Sequence, residues 1–201
     1  MKIKRIPAGM YAANCYILID EESQLGCIVD PGGDEDFIIK HVENSNINVK
    51  FILLTHGHLD HVGAVNPLKE KYNIPVYINV KDKVLMEDRE NVFGAMWNET
   101  SEDSELADGD IIELGDLKIK CIETPGHTPG GMCFAVGNVV FTGDTLFHGS
   151  IGRTDFPGGD YKQLINSIKT KLMILPDDTV VLPGHESESS IKFEREHNPF
   201  L

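Results

Sequence analysis

The chain has 201 residues, 41% hydrophobic and 25% charged, ordinary values for a globular protein that exclude disordered, collagen-like and coiled-coil classes. Lys and Arg number 18 against 32 Asp and Glu, a formal charge of −14 that opposes binding to nucleic acid or to anionic lipid. No window reaches the roughly eighteen apolar residues of a membrane helix, and residues 1–9 lack the apolar stretch of a secretory signal, so no membrane partner and a cytoplasmic location are expected.

This length suits one domain spanning 1–201. Strand-like runs occupy 1–6, 15–20 and 27–30, the last ending abruptly at Pro31-Gly32-Gly33. Asp34 then precedes Phe37, Ile38, His41 and Val42 at helical spacing, and 51–54 reads as a buried strand, giving a strand–helix–strand unit. Beyond a His-rich turn, 62–72 reads as a helix that Pro67 kinks or shortens. A short strand at 77–79 and a helix at 81–88 follow, then a long polar loop at 88–104 holding the single tryptophan, Trp97. The runs 111–113, 117–122, 132–136 and 139–142, with turns at Gly115-Asp116 and Gly137-Asn138, read as an antiparallel meander. A helix at 161–172 carries Leu164, Ile165, Ile168 and Leu172 on one face, and a strand at 179–182 precedes a short polar tail. The class is α/β, and two sheets with helices outside fit the order. Cys15, Cys27, Cys121 and Cys133 are widely spaced, mostly in apolar runs, and read as core residues, not as a disulfide framework or a zinc site.

Three of the eight histidines, His56, His58 and His61, fall within six residues, with Asp60 among them. Two apart on a turn, His56 and His58 can converge on one point, while adjacent Asp60 and His61 aim at a neighbouring one, which suggests two metal positions. His127, Asp144 and His185 each follow a strand-like run and a glycine. That glycine permits close backbone approach or positive φ and turns the next side chain over the sheet edge. Seven groups of ligand type at strand ends have no common packing explanation, and burying them unpaired would be costly. His41, His148 and His197, standing alone, read as ordinary surface or packing residues.

The segment Thr55-His56-Gly57-His58-Leu59-Asp60-His61 resembles the HxHxDH motif of the metallo-β-lactamase superfamily. Thr124-Pro125-Gly126-His127-Thr128-Pro129-Gly130-Gly131, Phe141-Thr142-Gly143-Asp144-Thr145-Leu146-Phe147 and the terminal Asn198-Pro199-Phe200-Leu201 are similar to the glyoxalase II-like branch. The resemblance implies an αββα sandwich, two mixed sheets packed face to face with helices outside. It implies that His56, His58 and His127 hold a first divalent metal, that Asp60, His61 and His185 hold a second, and that Asp144 bridges them. The ions would be zinc, with iron or manganese as alternatives, and Asp30 would be the carboxylate behind the ligands. A carboxylate at Asp144, where many metallo-β-lactamases place a cysteine, argues against antibiotic hydrolysis, and His58, where flavodiiron proteins place a glutamate, argues against electron transfer.

Two adjacent cations lower the pKa of a bound water from about 15.7 toward about 7, and the implied activity is hydrolysis of a small-molecule thioester such as S-lactoylglutathione. Asp60 or Asp144 would orient the nucleophile and accept its proton. A thiolate leaves without a strong acid because its conjugate-acid pKa is about 8.5. Arg153 could pair with a substrate carboxylate or with Asp155 or Asp160. Glyoxalase II proper carries a C-terminal helical domain that contacts glutathione and that this sequence lacks, and Glu186 and Ser187 replace the Gly-Pro that usually follows the last histidine. Gly152-Arg153-Thr154-Asp155-Phe156 also resembles the persulfide dioxygenase branch, in which His56, His127 and Asp144 would hold a single iron. A phosphodiesterase or lactonase of the same fold is a further alternative.

Overall fold

A computed structural model describes residues 1–87, 92–94 and 103–201. In chain order these form β1 (Lys2–Ala8), β2 (Ala13–Asp20), β3 (Leu25–Val29), α1 (Glu35–Glu43), β4 (Asn48–Leu53), α2 (Leu59–Val62), α3 (Val65–Tyr72), β5 (Val76–Asn79), α4 (Val80–Glu87) and β6 (Ser104–Leu106). The second half contains β7 (Ile111–Leu114), β8 (Leu117–Glu123), β9 (Met132–Val136), β10 (Val139–Gly143), β11 (Leu146–Phe147), β12 (Ser150–Ile151) and α5 (Tyr161–Ser167). It closes with a π-helical turn at Ile168–Leu172, β13 (Val180–Pro183), β14 (Ser189–Ser190) and α6 (Ile191–His197).

β1 to β6 make one mixed sheet in sequential order, and a second runs β14-β13-β10-β9-β8-β7. Alternation along the strands sorts the apolar residues into layers. In β2, Cys15, Ile17 and Ile19 face α1 and α3, packing with Ile38, Val42, Val65 and Leu68. The intervening Tyr16 and Leu18 face the second sheet, where Phe134, Phe141, Ile119 and Leu182 fill the space between sheets. The outer face of the second sheet, through Cys133, Val140 and Val181, covers Leu164, Ile168, Leu172 and Ile191. The result is the two-sheet sandwich with helices outside that the sequence suggests. β2 is buried along its whole length, which explains why its apolar run is continuous.

Chain direction matters for the site. β3, β4 and β5 run parallel. β10 is antiparallel to β9 and β9 to β8, so β8 and β10 share a direction, as do β10 and β13. The segments following β3, β4, β8, β10 and β13 therefore gather at one rim, the place where α/β sheets present ligands.

Pro67 lies in a helix shorter than the predicted 62–72, the second of the two outcomes expected of it. The predicted helix 62–72 divides into α2 and α3, and Pro67 sits in the first turn of α3, where its missing N–H would have had no intrahelical partner. The polar tail contains a helix not foreseen, α6, capped by Ser190 accepting a hydrogen bond from Phe193 N–H at 3.2 Å. The short strands β6, β11, β12 and β14 were also not predicted; two or three residues are too few to show a period. Of the loop read at 88–104, residues 88–91 and 95–102, Trp97 included, lie outside the described residues. The four cysteines are buried and unpaired, as core residues should be. Among the described residues no helix is long and apolar enough to cross a membrane.

Candidate metal centre

The rim gathers every predicted ligand. Nitrogen and oxygen atoms of His56, His58 and His127 lie within 4.8 Å of one another, and so do those of Asp60, His61 and His185. Asp144 stands between the groups: its Oδ2 is 3.6 Å from both His127 Nε2 and His185 Nε2, and its Oδ1 is 3.4 Å from His61 Nε2. His185 Nε2 is also 3.2 Å from Asp60 Oδ2. His41, His148 and His197 take part in none of these groups and bond locally, for example His41 Nδ1–H to the Phe37 carbonyl at 2.9 Å.

Hydrogen bonds behind the imidazoles fix which nitrogen faces inward. His127 Nδ1 lies 2.7 Å from the Arg153 carbonyl, an acceptor only, so Nδ1 carries the proton and Nε2 presents a lone pair. Asp30 plays the same part for His61, its Oδ2 lying 3.1 Å from Nδ1. Thr55 extends the relay. Its hydroxyl donates to Asp30 Oδ2 at 2.6 Å, leaving Oγ1 to accept from His56 Nδ1–H at 3.0 Å. Each of the three rings thus turns Nε2 to the same cavity, the arrangement by which outer groups orient metal-binding histidines. Asp30 adopts φ 49°, uncommon for a side-chain-bearing residue, and is held there by these bonds and by Thr55 N–H at 2.8 Å.

Several atoms of the cluster lack protein partners: His56 Nε2, His58 Nε2 and Asp144 Oδ1 are buried without a hydrogen bond, while His58 Nδ1 faces His127 Nε2 at 2.9 Å. Buried polar atoms are normally paired, and imidazole and carboxylate donors at this density fit divalent cations. Electrostatics agree. Burial lowers the pKa of His56, His58 and His127, that of His58 to about 3, with neighbouring imidazoles adding to the effect on His56 and His58. These rings are therefore neutral, the form that coordinates metal. Burial acts likewise on His61, but Asp144 and Asp30 outweigh it and raise its pKa well above the usual histidine value. For Asp144 burial is overcome by His61, His127 and His185, which hold the carboxyl well below the usual range. The same charge balance that favours a proton on His61 favours a cation beside it.

The glycines before His127, Asp144 and His185 behave as the sequence suggested. Gly126 and Gly143 take φ of 135° and 47°, while Gly184 is required for space: a Cβ there would overlap Asp144 Oδ1.

A superfamily profile described as "Metallo-beta-lactamase superfamily" matches residues 8–185. The chain belongs to the metallo-β-lactamase superfamily. Within it, the chain is 42% identical to hydroxyacylglutathione hydrolase GloC of Haemophilus influenzae over 100% of this chain and 98% of the relative. Among solved structures it is similar to BLEG-1, described as a B3 metallo-β-lactamase, with a TM-score of 0.90 and 34% identity over 100% of this chain and 99% of that one. ETHE1 from Myxococcus xanthus follows at a TM-score of 0.85 and 29% identity, covering 99% of this chain and 84% of that one. Divalent metal binding and a hydrolase fold are thus properties of the superfamily into which this site falls.

Above the superfamily's metal rim lies an open cleft of about 610 Å³. Its floor is His58, Asp60, His127, Asp144 and His185, and its walls include Tyr11, Leu59, Phe147, Ile151, Arg153 and Phe156. Arg153 pairs with Asp155 through two bonds of 2.8 and 2.7 Å and lies 3.6 Å above the Phe156 ring. Asp160 instead caps α5 by accepting from Gln163 N–H. Glu186, also on the wall, has φ 66°, the conformation for which the usual glycine is suited. Its carbonyl accepts from Asn14 Nδ2 at 3.0 Å and Arg5 Nη1 at 3.2 Å, contacts that offset the strain.

Two buried carboxylates near the site were missed in the sequence. Asp82 in α4 accepts bonds from both ligand-bearing loops. Glu194 in α6 accepts from Gly149 N–H at 3.1 Å, from Ser189 Oγ and from Asn198 Nδ2 at 2.7 Å. Nothing in their local sequence marks them, because an acidic residue in a helix is ordinarily solvated. The Asn198-Pro199 helix stop was the available signal for α6.

Proposed function

We propose that the protein is a binuclear metal-dependent hydrolase that cleaves small-molecule thioesters of the 2-hydroxyacyl-thiol kind, working as a single domain in the cytoplasm. The observation carrying this reading is the pair of three-residue groups with Asp144 between them, supported by the likeness to GloC across the whole chain. His56, His58 and His127 would hold one ion and Asp60, His61 and His185 the other, with Asp144 shared. Zinc suits the nitrogen-rich first set, and iron or manganese would also suit the mixed set. When bound, such ions supply a water that ionises near neutral pH and polarise an acyl oxygen.

The chain's own groups do the rest. Asp60, partly open to the cleft, or Asp144 would orient the attacking water and accept its proton. Burial tends to raise the Asp60 pKa, but the hydrogen bond with His185 overrides it and keeps the carboxyl below the usual range, so it is ionised and able to accept. The thiolate departs without a protonated side chain, because the conjugate-acid pKa of a thiol is about 8.5. The apolar wall of Leu59, Phe147 and Ile151 excludes bulk water from the acyl group, and Arg153 at the mouth offers a cation to a substrate carboxylate.

Protein purified without added metal tests this directly. The expected result is about two divalent ions per chain and hydrolysis of S-lactoylglutathione under anaerobic conditions, abolished by Asp144→Ala. One iron per chain with oxygen uptake on glutathione persulfide would favour the dioxygenase reading, which the Gly152–Phe156 segment and the likeness to ETHE1 support, at lower identity than GloC. A chromogenic cephalosporin, a phosphodiester and a lactone complete the panel, the first because of the likeness to BLEG-1.

A further inference from the structure

The loops bearing His58 and His127 come from different sheets, yet their rings face each other at 2.9 Å between Nδ1 and Nε2. One side chain that belongs to neither loop joins them. Asp82, in the first turn of α4, is fully buried. Its Oδ2 accepts from Gly57 N–H at 3.0 Å and from the Thr128 hydroxyl at 2.8 Å, and its Oδ1 accepts from Gly130 N–H at 2.6 Å. Gly57 separates His56 from His58, and Thr128 directly follows His127. The fit is tight: a Cβ at Gly130 would stand 2.6 Å from Asp82 Oδ1 and 2.7 Å from Asp82 N. Asp82 does not line the cleft and touches none of the inward-facing nitrogens.

Resting on the ligand assignment proposed above, we infer that Asp82 is a positioning residue for the first metal group, a carboxylate clamp that sets the distance between the His56–His58 turn and the His127 loop. A fully buried carboxylate held by two backbone N–H groups and a hydroxyl would be a costly way merely to fill space. It is well suited to holding two backbone N–H groups and a hydroxyl at fixed spacing, since charged acceptors make the stronger hydrogen bonds. The sheets themselves are joined independently, by Met132 N–H donating to the Thr55 carbonyl at 2.8 Å. Loss of the clamp therefore frees the ligand loops without parting the sheets. The second group takes no bond from Asp82, and its Asp60, His61 and His185 are placed by α2, Asp30 and the segment after β13. The effect should be confined to one of the two groups.

The test is zinc affinity by chelator competition in two backgrounds, His185→Ala to cripple the second group and His58→Ala to cripple the first, each with and without Asp82→Asn. Asparagine keeps the shape but replaces one acceptor oxygen with a donor. We expect Asp82→Asn to weaken zinc about 10- to 100-fold in the His185→Ala background, as loss of an outer-shell partner does, and to change it by less than about threefold in the His58→Ala background. Equal weakening in both, which a merely structural role would give, or no weakening in either, overturns the inference. If His185→Ala still holds two zinc ions, the ligand assignment fails separately, and Asp82→Asn alone then decides: selective weakening of one of two ions supports the clamp, and any other result overturns it. Should Asp82→Asn not fold, as judged by circular dichroism of the metal-free protein, Thr128→Val removes one donor from the clamp. It is expected to weaken the same single site several-fold, and no change in that site overturns the inference.

Discussion

Gly184 lies so close over Asp144 that no side chain fits between them: a Cβ at 184 would overlap Asp144 Oδ1 and stand 2.7 Å from His61 Cε1. The backbone at 184 is held from both sides, its N–H donating to the Gly143 carbonyl at 2.8 Å and its carbonyl accepting from Asn14 N–H at 2.7 Å. It cannot withdraw, so the side chains of the site must move instead. Gly184→Ala is predicted to lower metal affinity at least about tenfold by displacing Asp144 and His61, with far-ultraviolet circular dichroism unchanged. Chelator competition measures the first and spectroscopy the second. A variant with wild-type metal content and turnover would show that Asp144 is not held where the proposed bridge requires.

Asp30 differs because its contribution is chemical as well as steric. It accepts from Thr55 N–H and Thr55 Oγ1–H and faces His61 Nδ1, so one carboxylate sets two imidazoles, His61 directly and His56 through Thr55. Asp30→Asn keeps the φ of 49° accessible, since Asn tolerates this region. It forfeits one of the two acceptor oxygens, and one buried donor goes unpaired at a cost of about 1–3 kcal/mol. The expected outcome is a folded protein whose metal affinity falls about 10- to 100-fold. Zinc titration against a competing chelator checks it, and an unchanged affinity would remove Asp30 from the ligand-orienting relay.

Much of the candidate site is legible in the sequence, for a physical reason. The candidate ligands belong to residue types that are rarely buried together, and three of them, His127, Asp144 and His185, each follow a strand-like run and a glycine and so declare themselves locally. What stayed hidden depends on distant chain. Asp82 looks like any solvated acid at the start of a helix until Gly57, Thr128 and Gly130 are seen to surround it. Glu194 reads as tail polarity until Gly149 and Asn198 meet it. The division of the predicted 62–72 helix into α2 and α3 stayed hidden because the sequence does not show where a helix begins when an adjoining turn, α2, carries compatible spacing. Of the two readings of Arg153, the structure shows the loop salt bridge, a bidentate pair with Asp155, formed on the wall of the cleft.

The cysteines give a prediction independent of metal. Burial raises the pKa of all four thiols, that of Cys121 to about 12 and that of Cys133 to about 11. A raised pKa means that the reactive thiolate is scarce below it: at pH 8 Cys133 would be ionised in about one molecule in a thousand. The folded protein should therefore show almost no reaction with a thiol reagent at pH 8, rising only toward pH 11, and four reactive thiols after denaturation. A stoichiometric fast-reacting thiol at pH 8 in the native protein would contradict the packing of the cysteine-bearing strands.

The C-terminal helix supports the wall of the cleft without touching the candidate metal ligands. Asn198 Nδ2 donates to the Ser150 carbonyl at 3.0 Å and to Glu194 Oε2 at 2.7 Å, and Glu194 accepts from Gly149 N–H. These bonds hold the hairpin of β11 and β12, from which Phe147, Ser150 and Ile151 form one wall of the cleft. Asn198→Ala removes both donors and leaves the buried Glu194 less satisfied, so the hairpin loosens while the metal group, whose ligands come from other segments, keeps its geometry. Loss of one such bond is worth about 0.5–1.5 kcal/mol, which as weakened substrate binding corresponds to a rise in KM of about two- to thirteenfold. The expected signature is that rise with kcat within about a factor of two and unchanged metal content. If kcat and metal content fall together with KM unaltered, the tail acts on the metal ligands and not on the wall. If nothing changes, the β11–β12 hairpin does not contact substrate.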